Sequence, residues 1–250
     1  MQSAPRPPDF GPLAETYDRL RPTDEAWWEL VELLLAEGDL VGRRVLDVGC
    51  GTGSLAAALA ERGSRVWGVD SSEEMLREAR ASAGPRVGFK QGRAEALPFK
   101  DDWFERATLR LVVHLVDRPR ALPEVARVLV PGGRAAIATF TPGHFEWYWL
   151  TTVYPEVAEI DGRRFPTPEA LVAELETAGF VSARTTALRQ RRTISRTDAL
   201  ERIRGRYIST LRLLDEETYA AGLERAEREL PDEIESVLQW AVVTADVPPQ

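Results

Sequence analysis

Cysteine occurs once in these 250 residues, at position 50, so no disulfide can form within the chain. A lone thiol suits a reducing compartment, and a cytoplasmic protein is expected. Histidine occurs only at 114 and 144, and neither lies near Cys50, so no metal-ligand spacing exists and no metal is expected. Lysine stands only at 90 and 100; the remaining basic residues are arginine, a trait of overall composition. No run of about 18 apolar residues appears, which excludes a membrane-spanning helix and argues against a membrane partner. The start, MQSAPRPPDFGP, lacks an apolar stretch and reads as a short Pro-rich arm rather than a secretory signal. Net charge is −8 at a sequence pI of about 5.1. That is a poor field for a long nucleic acid, so no nucleic-acid partner is expected, although a local basic groove stays open.

The chain is 44% apolar and 29% charged, as globular proteins are, and long enough for one α/β domain with a lid. Thr23 or Asp24 can cap a helix through Glu37, with Trp27, Leu30, Val31, Leu34 and Leu35 at helical spacing. A short apolar strand, 44–48, runs into Gly-Cys-Gly-Thr-Gly, and a helix follows from Ser54 to Arg62. Strands are expected at 65–70, 87–91, 105–109 and 134–140, with helices between them at 71–82 and 119–129. Ser71 with Glu74 reads as a capping box. This β-α alternation predicts a parallel sheet covered on both faces, with ligands at the carboxyl ends of the strands.

The second half is less periodic. Residues 141–166 hold His144, Phe145, Trp147, Tyr148, Trp149 and Tyr154 without a clear pattern. Thr167 caps a helix that ends before Gly179, a strand follows from Phe180, and the last strand is 237–245. Ser195 and Asp198 open a helix that would place Leu200, Ile203, Tyr207, Leu211 and Leu214 on one face, and a further helix covers 215–230. The organisation expected is one domain, 1–250. It comprises an N-terminal arm and helix (1–40), a ligand-binding core (41–140), and lid segments at 141–166 and 195–230.

The chemistry rests on positions taken together. A Gly-rich turn between strand and helix lets a ligand approach the main chain, but nicotinamide enzymes use one too. Asp47 separates the cases. A carboxylate there would repel a pyrophosphate, yet it can accept charge-assisted hydrogen bonds from the ammonium of S-adenosylmethionine. Asp70, ending the second strand, can take both ribose hydroxyls. Ala94 and Glu95, after the third strand, stand where an N–H and a carboxylate could meet an adenine edge.

VLDVGCGTG, VWGVDSS, GRAEALPF, FERATLRLVVHLVD and VLVPGG together resemble the successive motifs of class I S-adenosylmethionine-dependent methyltransferases of the small type-11 group. The resemblance covers about residues 10–140, and AETYDRLRP (14–22) is similar to that group's N-terminal segment. It implies a Rossmann-like, seven-stranded, mostly parallel sheet with the last strand antiparallel, helices on both faces and a helical lid. It implies S-adenosylmethionine as cofactor, with S-adenosylhomocysteine as product. Tyr17 and Arg21 would contact the methionine carboxylate, and Asp47, Gly49 and Gly51 would hold the amino-acid moiety. Asp70 and the adjoining Ser71 would bind ribose, Met75 would pack on adenine, and Ala94 and Glu95 would meet its amino edge. Arg110 falls beside the cofactor, where the family often has a small residue, and Glu105 replaces its usual aspartate.

The expected activity is methyl transfer to O, N or C of a small-molecule acceptor by in-line displacement. An RNA-directed methyltransferase and a non-catalytic binder of the same cofactor are the alternatives. His114 is the candidate general base; it could equally pack structurally within a helix. Cys50 is read as a small packing residue in the turn. The aromatic cluster at 145–154 either lines the acceptor pocket or anchors the lid. Arginines 184, 189, 191, 192, 196, 202, 204 and 206 form either a solvated, partly paired face or a receptor for an anionic acceptor or RNA. The sequence leaves the acceptor atom and the oligomeric state open.

Overall fold

A computed structural model describes residues 10–249; the Pro-rich arm expected at the amino terminus lies outside the described residues. Seven strands form one sheet: β1 (Arg44–Val48), β2 (Arg65–Asp70), β3 (Val87–Gln91), β4 (Phe104–Arg110), β5 (Leu129–Phe140), β6 (Val181–Ser195) and β7 (Glu233–Asp246). Their order is β3-β2-β1-β4-β5-β7-β6. Strands β1 to β5 pair in parallel, while β7 runs antiparallel to both β5 and β6. The expected α/β sheet, mostly parallel with an antiparallel last strand, is the observed one. The order reverses between β1 and β4, which opens a crevice beyond their carboxyl ends.

Nine helices surround the sheet in the described residues: α1 (Ala14–Leu20), α2 (Glu25–Gly38), α3 (Ser54–Glu61), α4 (Glu73–Ser82), α5 (Arg118–Val128), α6 (Pro155–Arg164), α7 (Pro168–Thr177), α8 (Arg196–Arg204) and α9 (Glu216–Glu229). Successive strand residues point to opposite faces. Accordingly Val45, Val66, Ala136 and Val242 pack with α2 and α3, whereas Leu46, Leu109, Ile137 and Val243 pack with α5 and α7. Asp24 caps α2 by accepting the N–H of Trp27 at 3.0 Å, and α2 lays Leu30, Val31 and Leu34 on the sheet.

The ribbon of β6 and β7 outruns β5. Pairing with β5 ends at Phe140 opposite Trp240, while β6 and β7 stay paired to Ser195 opposite Glu233. Helices α8 and α9 follow from that projecting end. Residues 141–166 fold into two short 3-10 turns, Pro142–Glu146 and Trp149–Thr152, followed by α6. The two segments share a separate buried cluster that includes Phe145, Leu150, Tyr154, Ile203, Leu211 and Ala226. Met75 and Leu20 join the same cluster, which attaches it to the crevice.

Local readings differ from the structure in two places. The serine that caps α4 is Ser72, whose Oγ accepts the N–H of Met75 at 3.2 Å and donates to Glu74 at 2.9 Å. Helix α8 stops at Arg204, and Arg206 takes a φ of 45°. Tyr207, Leu211 and Leu214 therefore reach the lid core from a turn beyond the helix, because burial rather than helical periodicity places them. Among the described residues no helix is long and apolar enough to cross a membrane.

Candidate active site

The crevice is a cleft of about 890 Å³ running from the β1–α3 and β2–α4 turns to the lid. In the first turn Gly49 has a φ of 68°, and a Cβ there would stand 2.5 Å from Val112 Cγ2. Backbone angle and available space both demand glycine. The N–H groups of Gly49 and Cys50 donate to the carbonyl of Val69 at 2.7 and 3.1 Å, tying this turn to β2. Asp70 completes the tie: one carboxylate oxygen accepts the N–H of Gly51 and the other that of Ser72, both at 2.9 Å. Burial raises its pKa, against the pull of those N–H groups. Asp70, Ser71, Gly49 and Gly51 all line the cleft.

Asp47 lies behind the glycine turn, 2% exposed. Its Oδ1 accepts from Thr108 Oγ1 at 2.9 Å, and its Oδ2 is buried with no partner. Burial pushes its pKa up to about 7, opposed by the Thr108 bond and the charge of Arg110. It faces a side pocket of about 40 Å³ rather than the main cleft, and the two share Tyr17, Gly49, Gly51 and Arg110 as walls. Arg110 ends β4 with its Nε unpartnered; burial lowers its pKa, and the charges of Tyr17, Asp47 and Asp18 oppose that. Arg21, at the end of α1, donates to the hydroxyl of Tyr17, and its Nε donates to the carbonyl of Tyr207 at 3.1 Å. Neither arginine has a carboxylate partner among the described residues. Arg21 thus latches the N-terminal segment to the lid.

On the other flank the cleft is walled by Met75, Ala94 and Glu95. The Glu95 carboxylate is held in place by the N–H of Asp117 at 3.1 Å and by Arg93 at 3.4 Å. Cys50 is buried, and burial raises its thiol pKa far above the nucleophilic range.

The lid end is aromatic. His114 sits in the turn between β4 and α5, not in a helix, with its ring stacked on Phe165 at 3.9 Å and its Nδ1 unpartnered. Burial first, then the charges of Arg164, Arg21 and Arg118, hold its pKa well below the usual histidine value. His144, 0% exposed, stacks on Phe140 at 4.0 Å, and Phe140 meets Trp240 at 4.1 Å. Tyr148 shares a hydroxyl–hydroxyl hydrogen bond with Tyr207. Of the aromatic residues read from the sequence, Phe145 and Tyr148 line the cleft, while Trp149 and Tyr154 are buried in the lid core and Trp147 is exposed.

Among the chamber residues that escaped the sequence reading are Asp161, Gln190 and Trp240, with Phe140 and Phe165. Asp161 accepts from Thr210 Oγ1 at 2.6 Å and from Arg164 at 3.1 Å, and burial raises its pKa to about 6. Gln190 accepts the indole N–H of Trp240 at 3.0 Å and donates to Glu29 at 2.7 Å. No local signal marked them: Gln190 stands between Arg189 and Arg191, and Trp240 lies within an apolar strand.

The arginine-rich edge divides. Arg191, Arg204 and Arg206 pair with Glu235, Glu227 and Glu216 at 2.8, 2.6 and 2.5 Å, and Arg196 donates to the carbonyl of Glu227. That part is a neutralised outer face. Arg192 and Arg202 instead turn into the cleft.

A family model described as a methyltransferase domain matches residues 45–133. An uncharacterised methyltransferase of Mycobacterium tuberculosis is 41% identical over 128 residues, 51% of this chain and 50% of that one. The chain thus spans about half the length of the mycobacterial relatives it matches. A demethylmenaquinone methyltransferase of Thermus thermophilus is 34% identical over 209 residues, covering 68% of this chain and 90% of that protein. In three dimensions the YcgJ protein of Bacillus subtilis superposes with a TM-score of 0.61 at 22% identity, over 89% of this chain and 100% of its own. A likeness that distant speaks for the fold alone.

Proposed function

The chain belongs to the class I S-adenosylmethionine-dependent methyltransferases, and from that premise we propose that it methylates O, N or C of a small molecule held under the lid, by in-line displacement. S-adenosylhomocysteine is then the second product. In this reading residues 1–250 form one methyltransferase domain: arm and helix to 40, cofactor core to 140, lid at 141–166 and 195–230. The protein works in the cytoplasm, where Cys50 stays a thiol.

The residues fit the cofactor. Buried and unpartnered, Asp47 Oδ2 is an acceptor for its ammonium, beside Gly49 and Gly51. Arg21, Arg110 and the Tyr17 hydroxyl offer donors for its carboxylate. Both oxygens of Asp70 retain a lone pair for the ribose, with Ser71 beside them. Met75, Ala94 and Glu95 supply the wall for adenine.

The cofactor supplies a methyl already activated on a sulfonium, so the protein contributes alignment and exclusion of water. Phe165 of the lid closes the far end together with Phe140 of β5 and Trp240 of β7. His114 is the proton acceptor where the methyl acceptor must lose a proton; burial and three arginines keep it neutral at neutral pH. Asp161, with a pKa near 6, is a second group tuned toward neutrality in the same chamber.

One observation carries the reading: Asp70 lines one end of a cleft whose other end is an aromatic chamber, and Asp47, its Oδ2 unpartnered, faces a side pocket that shares Tyr17, Gly49, Gly51 and Arg110 with that cleft. The RNA-directed alternative is the weaker reading, because Arg191, Arg204 and Arg206 on that edge are each paired with a glutamate. Calorimetry with S-adenosylhomocysteine should give saturable, one-to-one binding. Fractionated metabolite pools should then yield an acceptor that converts S-adenosylmethionine to S-adenosylhomocysteine. A folded protein that leaves S-adenosylhomocysteine unbound overturns the proposal.

A further inference from the structure

The lid end of the cleft holds a cation that nothing among the described residues neutralises. Arg202, on α8, is 8% exposed and lines the cleft, yet it makes no hydrogen bond or ion pair with any described residue. Buried arginines are ordinarily paired, since removing a charge from water is costly unless a partner restores the lost interaction. Arg192 lies in the same wall: its Nη1 pairs with Asp24 at 2.8 Å, while its Nε is buried without a partner. The hydroxyls of Tyr148 and Tyr207 complete the group, and the charges of both arginines act on both phenols. Of the acidic groups in the chamber, Asp161 is committed to Arg164 and Thr210 and Asp24 to Arg192. The local balance is therefore positive. Flat aromatic surfaces adjoin it: His144 lies 4.8 Å from Tyr148, and Phe140 lies between His144 and Trp240.

We propose that Arg202, backed by Arg192 and the Tyr148–Tyr207 hydroxyl pair, is an anion-binding subsite, and that the molecule methylated here is a ring-bearing acid whose carboxylate or phosphate docks on it. Arginine recognises either group through paired N–H donors, and a dry aromatic chamber strengthens the contact. The subsite rests on the reading of this cleft as a methyl-transfer site, but it makes its own demand: a charge on the acceptor.

The test uses the full chain, with and without S-adenosylhomocysteine, and three probes that differ in one group: 2-naphthoate, 2-naphthyl phosphate and neutral 2-naphthamide. Binding is read by calorimetry and by quenching of the cleft tryptophans Trp27 and Trp240. At least one anionic probe should bind about ten-fold or more tighter than the amide, a difference of about 1.4 kcal/mol. Which anion wins distinguishes a carboxylic acid from a phosphate ester. In Arg202→Met, which keeps most of the apolar stem, that preference should collapse to about one-fold while S-adenosylhomocysteine affinity and the melting temperature hold. Arg202→Lys should retain part of it. An amide that binds as tightly as both anions, no binding by either anion, or a preference that survives in Arg202→Met each overturns the subsite. Loss of S-adenosylhomocysteine binding by the wild-type chain would instead strike the methyltransferase reading and leave the anion preference to be judged by itself.

Discussion

Gly51 donates its backbone N–H to Asp70 Oδ2 at 2.9 Å, so the glycine turn after β1 is bolted to the carboxylate that ends β2. The residue proposed to hold the ribose also shapes the turn proposed to hold the amino acid. Asp70→Ala should therefore weaken S-adenosylhomocysteine by more than a ribose contact alone, by about 2–3 kcal/mol, since it also leaves the N–H groups of Gly51 and Ser72 without acceptors. Asp70→Asn keeps a carbonyl oxygen and should lose less. Calorimetry on folded variants checks the order; equal affinities for Asn, Ala and wild type would remove Asp70 from the site.

Asp47 makes binding depend on pH. In the ligand-free protein its pKa is raised to about 7 from an ordinary 3.8, so between those values the folded state carries a proton the unfolded state has lost. Its contribution to stability is full below 3.8 and lost as pH rises through 7. Asp47→Asn should gain on wild type as pH climbs from 5 to 8, by up to roughly 3 kcal/mol, in urea unfolding without ligand. An ammonium beside the carboxylate reverses the preference, so S-adenosylhomocysteine binding near pH 6.5 should release a proton. Repeating calorimetry in buffers of different ionisation enthalpy measures that release, and Asp47→Asn should abolish it.

The cofactor end was legible and the acceptor end was not, for a physical reason. Between 44 and 140 each strand, turn and helix is set by neighbours in sequence: glycines that must take positive φ, a period of two, a cap. The one ambiguity, Ser71 against Ser72, arose because two serines precede two glutamates. The lid obeys no such local rule. Asp161 finds Thr210 across 49 positions, and Gln190 finds Trp240 across 50. Whether an arginine between 184 and 206 faces solvent or the cleft depends on how α8 docks after a strand that outruns its sheet. Arg202 and Arg204 look alike in sequence, and packing alone sends one inward and pairs the other with Glu227.

His114 can be tested by exchange for a ring of similar size. A phenyl ring at this position preserves the stack on Phe165 and removes the unpartnered Nδ1. His114→Phe should bind S-adenosylhomocysteine like wild type. With the acceptor in hand, turnover should fall about 100-fold or more if a proton moves to this ring. The acidic limb of the rate profile should lie well below pH 6.5, because burial and the charges of Arg164, Arg21 and Arg118 disfavour the imidazolium. Unchanged turnover in His114→Phe would leave the ring a packing element.

His144 should govern acid sensitivity. Burial lowers its pKa from 6.5 to about 3, so it stays neutral when folded and takes a proton on unfolding. Stability it contributes above pH 6.5 is lost as pH falls toward 3. His144→Phe, which keeps a ring against Phe140, should lose less stability than wild type between pH 7 and 4, by up to roughly 3 kcal/mol. Urea unfolding at the two pH values gives the difference directly, and parallel losses in both proteins would contradict it.

Gly222 reverses an ordinary expectation about helices. It lies within α9, where glycine costs about 1 kcal/mol relative to alanine, so Gly222→Ala would stabilise an exposed helix. Here a Cβ would stand 2.0 Å from Tyr154 Cε1, and Tyr154 is fully buried with its hydroxyl donated to the carbonyl of Tyr219 at 2.9 Å. The ring cannot withdraw without breaking that bond or opening the lid core. Gly222→Ala should therefore destabilise by about 1–3 kcal/mol, the usual cost of overpacking. Because the strain falls on the lid, proteolysis should cut first within 141–166 or 196–232, while S-adenosylhomocysteine affinity changes little. Pairing it with Tyr154→Leu, which removes both ring and hydroxyl, should recover the helical gain that the clash conceals: in that background the Gly222→Ala exchange should cost nothing. A melting temperature that rises in the single variant would mean that α9 does not rest on Tyr154.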